Sequence, residues 1–136
     1  MSRSTRHAPL LLHNTMRITE GHLDGFRAAV ERAVAFVEEH GPQLAVQVFI
    51  DDEHLVAHSF QLYPDSAAIA EHWRLSDPYI AEVMEHCSVE RLEMYGEPEE
   101  DVVGDVFRPD VAGDVPRSVV PRLIGFVRDP GDQRTT

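Results

Sequence analysis

Lysine is missing from this chain: all 12 of its basic residues are arginines, set against 24 acidic ones, for a net charge of −12 at pH 7. An acidic chain without a basic cluster repels phosphate backbones and anionic lipid surfaces, so neither nucleic acid nor membrane is an expected partner. Cysteine occurs once, at Cys87, which rules out an internal disulfide and with it a secreted disulfide scaffold. Cys87 follows His86 in an apolar stretch read as helical and is expected to be a buried structural thiol. No apolar run approaches the roughly 18 residues of a membrane helix. Leu10–Leu12, behind a polar start, is too short for a signal-peptide core, and a cytoplasmic location is expected. Also lacking are a Gly-rich phosphate loop, a Cys-x-x-Cys pair and a nucleophile elbow. No His-x-x-x-His pair falls on one predicted helix, since a turn and a strand intervene between His54 and His58, so no metal is expected.

What is present reads as one domain, 136 residues being enough for a single core. From Pro9 to Ile18 the residues alternate, with Leu10, Leu12, Asn14, Met16 and Ile18 on one face: a strand whose apolar side carries one amide. Leu23, Phe26, Val30, Ala33, Val34 and Val37 then recur at helical spacing, with Thr19 as the expected cap and Gly41-Pro42 as the stop. Leu44 to Ile50 and Leu55 to Tyr63 read as a hairpin around Asp51-Asp52-Glu53. Asp65 is placed to cap a helix carrying Ala68, Ile69, His72 and Trp73, and Ser76-Asp77-Pro78 predicts a break and a second segment. Val89 to Tyr95 alternates as a last strand. The order βαββαβ predicts a ferredoxin-like α+β domain over 9–96, a four-stranded antiparallel sheet with both helices on one face. The strands hold apolar residues on both faces, which predicts a homodimer pairing the uncovered faces. Residues 97–136 form an extension. In it Val102, Val103, Val106 and Phe107 suggest a helical turn, and the apolar stretch 118–127 is confined by Pro121 to an edge or an irregular path.

The stretch Thr19 to Gly96 resembles the antibiotic biosynthesis monooxygenase family of dimeric α/β barrels. The resemblance rests on Gly21, Phe26, Glu39-His40-Gly41-Pro42, the strand Ser59-Phe60-Gln61-Leu62-Tyr63, the helix Ser66 to His72, and Ser76-Asp77-Pro78-Tyr79. It implies a homodimer, a small hydrophobic or aromatic ligand, and oxygenation of an aromatic or quinol-like substrate without a cofactor. A narrower similarity links the chain to the heme-degrading monooxygenases of the same fold: Asn14 stands seven residues before Gly21, and Trp73, Ser76, Asp77 and Tyr79 match their pattern. Their heme-ligating histidine falls at Val83 here, with His86 three residues beyond.

Several side chains are therefore candidates for chemistry. Asn14 either bridges to neighbouring backbone or donates into a pocket. His72 either serves as a base near neutral pH or forms a structural hydrogen bond. Tyr63 and Tyr79 are possible donors to a phenolic substrate. Trp73 and Phe60 supply walls, and His58 is a polar insertion among apolar strand residues. The expected site has His72, Asn14 and Tyr63 as catalytic groups and Trp73, Phe60, His58 and Tyr79 around the substrate. A non-catalytic dimeric binding or stress-associated module is the reading from a different class, and heme degradation is a third.

Overall fold

The computed structural model describes residues 9–102 and 115–128. Strand β1 (Leu10–Ile18) is followed by helix α1 (Leu23–His40), the hairpin β2 (Ala45–Asp51) and β3 (Val56–Tyr63), helix α2 (Ser66–Met84), β4 (Cys87–Tyr95) and β5 (Arg117–Val120). The sheet order is β2-β3-β1-β4-β5, so β1 lies at the centre, between two strands that follow it in the chain. Alternation along β1 buries Leu10, Leu12, Met16 and Ile18 against both helices. One cluster joins Leu10, Leu12, Tyr63, Leu92 and Met94 to Ala68 and Ile69 of α2. The other joins Met16, Ile18, Ala57 and Cys87 to Phe26 of α1. Each buried Leu, Ile, Met or Phe among them contributes roughly 1.5–3 kcal/mol.

The four expected strands are antiparallel neighbours, but the sheet is five-stranded and mixed, because β5 runs parallel to β4 along its outer edge. The edge of β4 would otherwise leave a row of unpaired backbone groups. Pro116 gives its carbonyl to Leu92 N–H and Val120 gives its carbonyl to Gly96 N–H. Proline on either side of the short run Arg117–Val120 is tolerated only at such an edge.

Three local expectations change. The helix α2 is continuous through Pro78. Arg74, whose carbonyl loses its donor there, is exposed along with Asp77 and Pro78, so water can satisfy it. Thr19 does not cap α1: His22 occupies that position without a side-chain bond, while Thr19 carbonyl accepts His22 N–H. Cys87 opens β4 instead of lying in a helix. It is buried, its thiol facing the Val83 carbonyl at 3.5 Å, and burial pushes its pKa up to about 11. The Asp65 cap is as expected, its Oδ1 accepting Ala68 N–H at 2.9 Å. Val102 is buried at the start of a helical turn. The other residues expected in that turn, Val103, Val106 and Phe107, lie outside the described residues.

Candidate active-site cavity between sheet and helices

Alternation fixes which side chains look under the helices. On β1 Asn14 follows Leu12 on the buried face, and its register partners are Ser59 on β3 and Leu92 on β4. Just past it, between Thr15 and Met16, the pairing with β4 slips by a bulge, the device by which strands re-aim side chains beside sites. On β3 the same alternation turns Ala57, Ser59, Gln61 and Tyr63 inward. From above, α2 brings in His72, Trp73 and Ile80.

These groups line a cavity of two adjoining lobes, each about 120 Å³. Asn14, Gln61, His72, Ile80 and Met84 border both lobes. The inner lobe adds Tyr63, Trp73 and Leu92; the outer adds Gln43, Ser59 and the α1 residues Val30, Val34 and Val37. An apolar cavity of about 150 Å³ takes up benzene, so the pair suits a compact ligand of one or two rings. A wider cleft of about 470 Å³ runs between α1 and β2, but Arg27, Glu31 and Glu38 make it a solvent-side groove.

Among the described residues, no acidic side chain or arginine lines either lobe. His72 is buried with nothing charged to compensate it, which lowers its pKa to about 4, so the imidazole is neutral at pH 7. Its Nδ1 lies 3.0 Å from Ser76 Oγ, one turn along the helix. Burial likewise raises the pKa of Tyr63. The Tyr63 hydroxyl donates to Gln61 Oε1 at 2.7 Å, Gln43 Nε2 donates to the same oxygen at 3.0 Å, and Gln61 Nε2 donates to Ser59 Oγ at 3.2 Å. Among the described residues, three buried side-chain N and O atoms have no hydrogen-bond partner: Asn14 Oδ1, Gln43 Oε1 and Trp73 Nε1. Each costs on the order of 1–3 kcal/mol unless something else satisfies it. All three belong to residues of this one cavity.

No family model and no curated protein matches the chain. Solved structures do. MupZ from Pseudomonas fluorescens superimposes with a TM-score of 0.69 at 15% identity, over 89% of this chain and 95% of MupZ. SnoaB, a cofactor-independent oxygenase from Streptomyces nogalater, matches at 0.57 and 12% identity over 68% of this chain and 95% of SnoaB. A putative antibiotic biosynthesis monooxygenase from Chloroflexus aurantiacus matches at 0.56 and 14% identity, over 64% and 90%. This chain has the fold of the antibiotic biosynthesis monooxygenases.

Within that fold the expected site residues divide. Asn14, Tyr63, His72 and Trp73 come together at the cavity. The other three lie elsewhere. Phe60 and His58 sit on the helix-free side of the sheet, where Phe60 stacks on His13 at 4.3 Å and His58 Nδ1 lies 3.0 Å from His13 Nε2. Tyr79 stacks on Phe36 of α1 at 4.5 Å. Gln43, Gln61, Ser59 and Ser76 were not anticipated; the signal for the middle two was their shared strand face with Tyr63. Val83 borders the outer lobe where the heme-degrading pattern wants histidine. His86 is held away from it, its Nδ1 3.1 Å from that of His22. Among the described residues, no group of three or more His, Cys, Asp or Glu side chains is placed to hold a metal ion, and no helix is long and apolar enough to cross a membrane.

Proposed function

We propose that this protein is a cofactor-independent oxygenase of a small, uncharged hydroxyaromatic or quinol-like substrate, working as a cytoplasmic homodimer. One observation carries the reading: among the described residues, two buried acceptors and one buried donor stand unpartnered around a cavity lined by no acid or arginine. A ligand that completes them offers hydroxyl donors to Asn14 Oδ1 and Gln43 Oε1 and an oxygen to the Trp73 indole N–H. An anionic substrate would meet no cation there. The likeness to SnoaB, itself a cofactor-independent oxygenase, supports the reaction class at the level of fold.

In this scheme His72, neutral in the empty cavity, takes a proton from the substrate because the anion left beside it compensates the imidazolium charge that burial alone disfavours, and that anion gives its electrons directly to dioxygen. A ring CH₂, the keto form of a phenol, plus dioxygen yields a carbonyl plus water, so the step needs no further reductant. Trp73 N–H donates to the developing oxyanion, Asn14 Oδ1 holds the substrate by accepting from a hydroxyl that stays protonated, and the apolar walls exclude water. Tyr63, engaged with Gln61, fixes the amide chain. Phe60, His58 and Tyr79 take no part. Residues 9–96 form the catalytic unit and 97–136 its extension.

The test uses dihydroxynaphthalene and naphthalene as probes of Trp73 fluorescence, Trp73 being the only tryptophan. The dihydroxy compound should quench saturably and bind about thirtyfold more tightly, as two hydrogen bonds of about 1 kcal/mol each require. Asn14→Ala should narrow that ratio, and oxygen uptake should follow binding without added flavin or metal. Equal binding of both probes refutes the site. Hydroxyl-dependent binding without oxygen uptake leaves a non-catalytic binding module.

A further inference from the structure

Among the described residues, the extension carries a segment, 121–128, whose large apolar side chains stand exposed. After β5 the backbone is pinned by Arg122, whose N–H donates to Glu97 Oε2 at 2.9 Å and whose guanidinium donates to the Gly125 carbonyl. Beyond that anchor Leu123, Ile124 and Phe126 are 94%, 84% and 77% exposed. They present on the order of 100 Å² of apolar surface each, within four residues of a short arm, in a range where free surfaces mark contacts. Charge separates the arm from the rest of the molecule as well. Residues 115–128 hold Arg117, Arg122 and Arg128 and no acid, in a chain whose acids outnumber its bases two to one.

The complementary surface is on the helix-free side of the sheet, at the opposite edge. There Phe49 is 56% exposed and meets Phe60 edge-on at 6.0 Å, with His13 stacked on Phe60. The acidic turn Asp51-Asp52-Glu53 borders it. Four strand spacings, about 19 Å, separate β5 from β2 within one sheet. When two sheets stack face to face about a two-fold axis along the strands, the β5 edge of each copy falls over the β2 edge of the other.

We propose that residues 121–128 of one copy close over the Phe49–Phe60 patch of a second copy of this chain, with Arg128 toward the partner's acidic turn. The inference rests on the homodimer reading and names its clamp. The two arms add roughly 600 Å² of apolar surface to the pair, a large part of what a stable interface needs.

The test combines single-cysteine cross-linking with mass. Phe126→Cys and Phe49→Cys chains, carrying tags of different length, are mixed, allowed to exchange and oxidised; buried Cys87 gives little background. The expected product is a mixed disulfide of one chain of each kind, near twice the 15.3 kDa chain mass. The Leu123→Ser/Phe126→Ser variant should dissociate about a hundredfold more readily while keeping its circular dichroism, because both side chains are largely exposed and Phe126 meets the Arg128 guanidinium of its own arm at 5.0 Å. A dimer that forms no mixed disulfide, or whose dissociation ignores the arm substitutions, overturns the clamp alone. A disulfide formed only within one Phe49→Cys/Phe126→Cys chain does the same. A monomer at micromolar concentration overturns the dimer and the clamp together.

Discussion

Replacing His72 by glutamine should flatten the acid side of the protein's stability curve. In the folded chain His72 is buried in an uncharged cavity, and burial lowers its pKa from 6.5 to about 4. The unfolded chain therefore takes up a proton near pH 6.5 that the folded chain refuses until about pH 4, and stability is lost as pH falls between those values. At about 1.36 kcal/mol per pH unit, the loss is roughly 2 kcal/mol by pH 5 and about 3 kcal/mol by pH 4. That is a sizeable part of the 5–15 kcal/mol typical of a domain. Glutamine keeps a polar partner for Ser76 and does not titrate, so other ionisations cancel between the two proteins. Urea unfolding at pH 7, 5 and 4 reads the difference directly. The gap between wild type and His72→Gln should shift by about 3 kcal/mol across the series in favour of the variant. Parallel curves would show that His72 is not held neutral by burial, and the uncharged-cavity argument would go with it.

Three further outcomes are expected. Gly96→Ala should lower stability by about 1–3 kcal/mol in thermal melts, because Gly96 has φ +125° and an added Cβ would lie 2.7 Å from Leu10 Cδ2; a neutral substitution would contradict this junction geometry. Cys87 should resist alkylation at pH 8 in the native protein and react on unfolding, since burial lifts its pKa to about 11; rapid native labelling, followed by mass spectrometry, would contradict its burial. Hemin should give no sharp histidine-ligated Soret band, because Val83 borders the cavity and His86 is held against His22; a one-to-one complex abolished by His86→Ala would restore the heme reading.

Much of the fold was legible because its periods are clean. The alternation Leu10-Leu12-Asn14-Met16-Ile18 identifies β1 and its inward amide together, and the Asp65 cap was readable from residue type alone. Strand β3 was harder. Its bulkier apolar side, Val56, Phe60 and Leu62, faces away from the helices, while the buried side carries Ser59 and Gln61. Hydrophobicity thus points to the wrong face wherever a polar cavity lies beneath a sheet, which is why Phe60 and His58 were misplaced and Gln61 overlooked. Pro78 misled for a related reason: a proline breaks a helix when its freed carbonyl is buried, and exposure of Arg74 was not visible beforehand. The parallel docking of β5 depends on a pairing between residues distant in sequence, which no local pattern encodes.

The position of β1 in the middle of the sheet has a consequence for how the protein is made. Both neighbours of the first strand, β3 and β4, emerge from the ribosome after it, and β4 is complete only at Tyr95. At about 5–20 residues per second, the strand bearing Leu10, Leu12, Met16 and Ile18 waits roughly 4–17 s before its second edge is paired. During that interval a nascent chain carries an apolar strand with an open edge, the template on which chains add to one another. Slowing synthesis between Tyr63 and Cys87 lengthens the exposure, whereas a pause after Tyr95 lets the central strand close first.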